Sequence, residues 1–239
     1  KTVKAIVQPN RNGYLYVLDR GTGEYLHATK YVDQLNWAKG LDEKGRPIVD
    51  PRYVPTPEPK EFICPGAAGG QNGSVTAAYS PLTSLMYVPV IESCMEMEKA
   101  AAIFVQGIPY WGGGPGKTQG DDGSSYGHLS AIDPSTGATK WQYKDDYPLV
   151  GGTLATAGGL VFTGNQAGHA MAFDDETGEL LWQFQTGSGV RGQPVTYKLG
   201  GRQYVAVPSG GGGLATSLLG RPEKVNQGSA LVVFALPES

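Results

Sequence analysis

The residues able to do chemistry are few, and each has an ordinary explanation beside the chemical one. Arg11, in Arg11-Asn12-Gly13, is a permanent cation at a hairpin tip. Charged turn residues are usually solvated, so by type alone it is an exposed hairpin arginine. Asn72 carries an amide that both donates and accepts, yet Asn72-Gly73 is also the ordinary signature of a turn at positive φ. The run Ser209-Gly210-Gly211-Gly212-Gly213 permits close backbone approach. It is no phosphate loop, since no Lys-Ser/Thr pair follows and no helix opens there. Cys64 and Cys94 can form one disulfide or remain two buried thiols. His27, His128 and His169 are scattered without metal-ligand spacing and are expected to face solvent or satisfy loops. Asp121-Asp122, Asp145-Asp146 and Asp174-Asp175-Glu176 lack the spacing of a calcium loop and read as turns.

Any such chemistry must be positioned by strands. In the stretch Ala155 to Tyr204, apolar runs at 159–162, 170–173, 180–184 and 203–207 are separated by short polar or Gly-rich turns. Four short antiparallel strands in about fifty residues make one propeller blade. The unit repeats. Asp174, Thr177, Gly178 and Trp182 follow Asp133, Thr136, Gly137 and Trp141 at a constant offset of 41 residues, both copies reading Ala-x-Asp-x-x-Thr-Gly-x-x-x-Trp. A weaker copy is Asp19, Thr22 and Gly23, with His27 in the Trp position. The Asp caps turn amides, the Gly takes positive φ, and the Trp sits at a fixed depth in the next strand, where it can wedge between sheets. One repeat cannot bury both of its faces, so copies must stack.

Bulk properties agree with a β scaffold. The 239 residues are 40% hydrophobic with net charge −3, and no basic run argues for nucleic acid. No apolar stretch reaches the roughly 18 residues of a spanning helix. Strands are expected at 4–8, 14–18, 76–79, 85–90, 127–133 and 228–236, and no helix of useful length is visible. Residues 30–62, crowded with Pro47, Pro51, Pro55, Pro57 and Pro59, predict an ordered surface excursion rather than strands. Residues 63–73 form a Gly-rich loop, and residues 92–127 a second long excursion, of the kind that is often functional. The chain opens at Lys1 already running into a strand, so a preceding segment is expected.

The ordered set RNGYLYVLDRGTGEYL (Arg11 to Leu26), NWAKGLDEKGRPI (Asn36 to Ile48), GGTLATAGGLVFTGNQAGHAMAFDDETGELLWQFQTGSG (Gly151 to Gly189) and QPVTYKLGGRQYVAVPSGGGG (Gln193 to Gly213) closely resembles the quinoprotein alcohol dehydrogenases. The resemblance covers nearly the whole chain. It implies an all-β, eight-bladed propeller, of which residues 1–239 supply about the four C-terminal blades within a single domain. It also implies a periplasmic enzyme carrying pyrroloquinoline quinone (PQQ) in the central channel, with Ca²⁺ or a lanthanide polarising the quinone. An Asp takes the alcohol proton as hydride passes to the quinone, and electrons leave to a cytochrome c or a membrane quinone. The catalytic Asp and the metal ligands are expected before Lys1, in the N-terminal half of the propeller.

Other site residues carry over by position. Arg11 matches the family's basic residue near the quinone oxygens, where negative charge builds. Asn72, eight residues after Cys64, matches an amide that bonds the cofactor. Gly213 and Leu214 match the backbone that approaches the ring, and Leu214 replaces a Trp of some relatives. Val150 stands where many relatives have a Trp beside the cofactor, a change that neighbours can absorb by repacking. Cys64 and Cys94 match a structural disulfide pair, Met95 and Met97 cover the cofactor loop or pack as core, and Trp111 is placed at the substrate mouth or as a packing anchor. The competing reading is a non-catalytic propeller that scaffolds protein assembly, since some such propellers share the Trp repeat. Arg11, Asn72 and the cysteine pair favour the enzyme.

Overall fold

The computed structural model describes residues 3–58, 61–71, 76–108, 112–118, 125–211, 219 and 228–235. Four antiparallel sheets follow one another along the chain. The first contains β1 (Ala5–Pro9), β2 (Tyr14–Asp19) and β3 (Tyr25–Lys30). A two-stranded hairpin comes next, β4 (Ala38–Leu41) and β5 (Pro47–Val49), then a 3-10 turn at Pro51–Tyr53. The second sheet uses β6 (Ala78–Ser80), β7 (Leu85–Glu92), β10 (Tyr126–Ile132) and β11 (Thr139–Asp145). Between β7 and β10 a hairpin of β8 (Met95–Lys99) and β9 (Gly113–Thr118) stands apart. The third sheet is β12 (Leu154–Ala155), β13 (Leu160–Gly164), β14 (His169–Asp174) and β15 (Leu180–Gln185). The fourth is β16 (Val195–Leu199), β17 (Arg202–Gly210) and β18 (Ser229–Ala235).

The repeat motif does what its residues dictate. Asp19, Asp133 and Asp174 each cap the following turn, Asp174 Oδ1 accepting the amides of Glu176 (3.0 Å) and Thr177 (2.8 Å). Gly23, Gly137 and Gly178 all adopt φ between 74° and 76°, the left-handed region a side chain disfavours. The tryptophan then joins one sheet to the next. Trp141 on β11 donates Nε1–H to the Asp175 carbonyl (3.1 Å), and a Cβ on Gly178 would lie 2.5 Å from its ring. Trp182 meets Phe234 of the fourth sheet edge-on at 4.7 Å.

Successive sheets bury their faces against each other. Leu15 and Val17 pack on Val88, Val90 and Ile132. Leu85, Tyr87 and Leu129 pack on Val161, Met171 and Phe173. Ala170 and Val190 pack on Val207. The central strands β10 and β14 are thus covered on both faces, while β15 and β18 are largely exposed. The first strands β6 and β12 touch each other, so the sheets converge at that edge, as propeller blades do.

One expectation changes. Within 30–62 the chain does form strands, because the prolines sit at the margins: Pro47 opens β5 and Pro51 opens the 3-10 turn. Asp42 closes the hairpin by accepting the amides of Lys44 (2.8 Å) and Arg46 (2.9 Å). The 92–127 excursion likewise has its own strand pair, β8 and β9.

Candidate functional site

Antiparallel order sorts the connections between two ends of the molecule. The Asp-x-x-Thr-Gly turns join β2 to β3, β10 to β11 and β14 to β15, and all lie at one end. The β1–β2 turn, the β7–β10 excursion, the β13–β14 turn, the β17–β18 connection and the links between sheets lie at the other. Of the residues singled out for a site, the described ones, Arg11, Cys64, Cys94 and Val150, belong to this second set. Asn72, Trp111, Gly213 and Leu214 themselves fall outside the described residues.

The rest converge. Arg11 is exposed in its turn, and its backbone lies against Gly70 of the Gly-rich loop. A Cβ on Gly70 would stand 2.7 Å from the Arg11 carbonyl oxygen, so that contact admits no side chain. Gly70 in turn exchanges both backbone hydrogen bonds with Ile91, at 2.7 and 3.1 Å. Ile91 shares an apolar cluster with Ala68, Val150 and Leu219. Val150 is 3% exposed, and Leu219 comes from the connection that also contains Gly213 and Leu214. Cys64 and Cys94 are joined as a disulfide, which ties the Gly-rich loop to the root of the β7–β10 excursion. Met95 is buried below that loop, its sulfur accepting the Ala67 amide at 3.1 Å, while Met97 is only half-buried. The exposed Arg11 cation and this buried apolar cluster thus lie at the same end of the molecule. A cleft lined by Tyr16, Leu18, Tyr25 and Gly45 contains none of these residues.

Several residues that hold this end together are not conspicuous in the sequence. His128 is not solvent-facing: it is fully buried, with Nε2 3.1 Å from Glu92 Oε1, and Glu92 is 1% exposed. Gln142 Nε2 lies 3.0 Å from His128 Nδ1 and donates to Ser130 Oγ at 3.1 Å. An amide N–H directed at Nδ1 makes that atom the acceptor and leaves Nε2–H to donate to the carboxylate. Glu92 also accepts the backbone amides of Asp33 (2.7 Å) and Gln34 (3.1 Å), and so anchors the link leaving the first sheet. The available signal is position: the polar residues His128 and Ser130 sit in the middle of a central strand, where both faces must be covered. Asp145 has the matching role in the third sheet's approach. It accepts the Tyr147 amide (2.8 Å) and the Asn165 side-chain amide (3.0 Å), and burial pushes its carboxyl above the usual range. Tyr31 is the third such residue. It is 5% exposed, donates its hydroxyl to the Asn10 carbonyl (2.7 Å) and accepts the Gln71 amide (2.7 Å).

Comparison with known proteins agrees with the propeller fold. Residues 146–205 match the family described as glucose/ethanol/alcohol dehydrogenase, β-propeller domain (PQQ). The chain is 41% identical to the quinoprotein alcohol dehydrogenase PedH of Pseudomonas putida, matching over all of its own length and 41% of that protein. It is 39% identical to a lanthanide-dependent methanol dehydrogenase of Methylacidiphilum fumariolicum, over 89% of this chain and 35% of the relative. Among solved structures it superposes on a europium-containing methanol dehydrogenase with TM-score 0.88 at 34% identity, covering 99% of this chain and 45% of that one. The quinohemoprotein alcohol dehydrogenase of Comamonas testosteroni gives 0.81 at 30% identity, covering 99% of this chain and 37% of that one. The chain spans about two fifths of the length of the curated relatives it matches. With its stacked three- and four-stranded sheets, its Trp repeat and these likenesses, the chain belongs to the quinoprotein alcohol dehydrogenase family.

Proposed function

We propose that this chain is the C-terminal segment of a quinoprotein that oxidises a primary or secondary alcohol to the aldehyde or ketone. The observation that carries the reading is convergence: Arg11, the disulfide-tied Gly-rich loop and the Val150 cluster meet at one end of the propeller. PQQ bound there would supply the hydride acceptor for the alcohol. Arg11 would offer a guanidinium to the quinone oxygens, where negative charge would rise. The cluster of Ala68, Ile91, Val150 and Leu219 would exclude water beside the ring. Asn72, Gly213 and Leu214 are proposed as further cofactor contacts and Trp111 as a wall of the substrate mouth.

Ca²⁺ or a lanthanide is assigned to ligands outside this chain. Among the described residues, the side-chain oxygens and nitrogens of Asp33, Glu92 and His128 lie within 4.8 Å of one another. Those groups are already engaged: Glu92 with two amides and His128, Asp33 with the Tyr126 hydroxyl at 2.9 Å. The disulfide supports an oxidising compartment, for which the periplasm is proposed. The electron acceptor is proposed to be a cytochrome c or a membrane quinone.

The test uses the full-length protein. Denaturation should release about one quinone chromophore per chain, and dye-linked alcohol oxidation should be measurable. Arg11→Ala should lower kcat/KM by roughly 10²-fold, the scale of losing one charge-stabilising donor, with an unchanged circular dichroism spectrum. A protein without chromophore or alcohol oxidation would instead support the scaffold reading, and unchanged turnover in the variant would remove Arg11 from the mechanism.

A further inference from the structure

We propose that Tyr31 is a positioning residue for cofactor binding, its hydroxyl fixing the distance between the Arg11 turn and the Gly-rich loop that leads into Asn72. The inference rests on the quinone-site reading. The Arg11 turn joins two strands of the first sheet, whereas the Gly-rich loop lies between the first and second sheets, so no shared strand pairing sets their separation. Tyr31 bonds to both. Its hydroxyl donates to the carbonyl of Asn10, one residue before Arg11. The same oxygen accepts the amide of Gln71, one residue before Asn72. Its own amide donates to the carbonyl of Gly13, which closes the Arg11 turn, at 3.1 Å. The residue stands at the exit of β3, where a phenol ring reaches between the two loops.

Geometry makes the clamp tight. Asn10 and Gln71 are held through a single oxygen at 2.7 Å on each side. Gly70 lies directly on the Arg11 backbone, leaving no slack for a Cβ. Only the protonated phenol can both donate and accept. Burial pushes the Tyr31 hydroxyl well above its ordinary value, so it stays protonated throughout the working pH range. Phenylalanine would keep the ring and its packing but release both loops and leave the Gln71 amide without this acceptor.

Tyr87 provides an internal control. It too is fully buried, and its hydroxyl also bridges two groups, the Asp175 carbonyl (3.0 Å) and Thr83 Oγ1 (2.8 Å). Its bridge lies at the end of the Asp-x-x-Thr-Gly turns. Full-length protein freed of cofactor would be titrated with PQQ in the presence of Ca²⁺ and, separately, of a lanthanide, with thermal unfolding recorded on the same samples. Tyr31→Phe should weaken PQQ binding by about 10-fold, the scale of one unmade buried hydrogen bond, while Tyr87→Phe leaves it unchanged at a comparable fall in Tm. Gly70→Ala, which separates the same loops from the other side, should weaken PQQ binding in the same direction. Wild-type affinity in both Tyr31→Phe and Gly70→Ala overturns the proposal, as does an equal loss in Tyr87→Phe. If the wild-type protein itself takes up no PQQ with either ion, the quinone-site reading falls and the Tyr31 role with it.

Discussion

The two ends of this propeller segment are built by different rules. At one end, three Asp-x-x-Thr-Gly turns repeat the same form: a half-buried Asp caps two or three groups, and a Gly at φ near 75° closes the turn. Where a sheet precedes, that Gly lies against the neighbour's last strand, Gly137 on Thr29 and Gly178 on Trp141. At the other end the β1–β2 and β13–β14 turns share an Asn-x-x-Gly form, but the remaining connections are long, and among the described residues their order comes from buried polar groups: Tyr31, Glu92 with His128, and Asp145 with Asn165. A repeated turn satisfies its own backbone and can be stamped on every blade. Long connections cannot satisfy themselves locally and borrow side chains from adjacent sheets.

The contrast can be broken by substitution, beginning with the largest effect. Glu92→Ala strips His128 and the Asp33 and Gln34 amides of their acceptor at a buried site, and should cost about 3–5 kcal/mol. Denaturant unfolding measures it, and PQQ affinity should fall as well, because the link it anchors runs to the site. Opening the Cys64–Cys94 bridge by paired Ser substitutions comes next, at about 3–4 kcal/mol on the loop-entropy account, read as a lower Tm than that of the oxidised protein. Gly178→Ala, at the other end, should cost about 1–3 kcal/mol, since the new methyl meets the Trp141 ring and φ is 76°. PQQ affinity should stay intact in that variant. If Gly178→Ala lowered affinity as far as Glu92→Ala, the division into a structural and a functional end would be wrong.

Acid titration sharpens the same comparison with smaller effects. Bonds from the turn backbone, and from the Ser135 side chain in the case of Asp133, hold Asp19, Asp133 and Asp174 below the usual carboxylate range. The Arg52 guanidinium, bonded to Asp50, holds that carboxyl at about 2. A depressed carboxyl stabilises the fold above its ordinary value and loses that contribution as pH falls through the folded value. Tm should therefore decline as pH drops from about 4 toward 2. Asp145, raised by burial, acts in the opposite sense: its contribution is present at low pH and lost as pH rises above the ordinary carboxylate range. Asp145→Asn should remove that component, flattening the Tm profile just above the ordinary carboxylate value. Asp175, also raised by burial, is the exception at the repeating end.

What can be read from the sequence follows the same division. The strands, the order of the sheets and the Trp contacts are legible because the turn motif is local: Asp174 to Trp182 contains all the residues that decide it. The β4–β5 hairpin escapes such a reading because proline crowding looks like irregular chain, whereas Pro47 and Pro51 occupy strand and turn starts. His128 reads as a residue that faces solvent or satisfies a loop because its partners Glu92 and Gln142 lie 36 and 14 residues away, and only pairing of β7, β10 and β11 brings them together. Arg11 and Val150 stand out through family resemblance, not residue pattern; a turn arginine and a lone valine carry no signal of their own. Tyr31 is invisible by either route, since its role exists only where Asn10 and Gln71 meet.

The most direct measurement is a crystal structure of the full-length protein loaded with PQQ. The account predicts the quinone at the irregular end, with its oxygens within hydrogen-bond reach of the Arg11 guanidinium and its ring against the patch of Ala68, Ile91 and Val150. A quinone seated beside the Asp-x-x-Thr-Gly turns, or one bound at the irregular end with Arg11 directed away from it, would contradict the account.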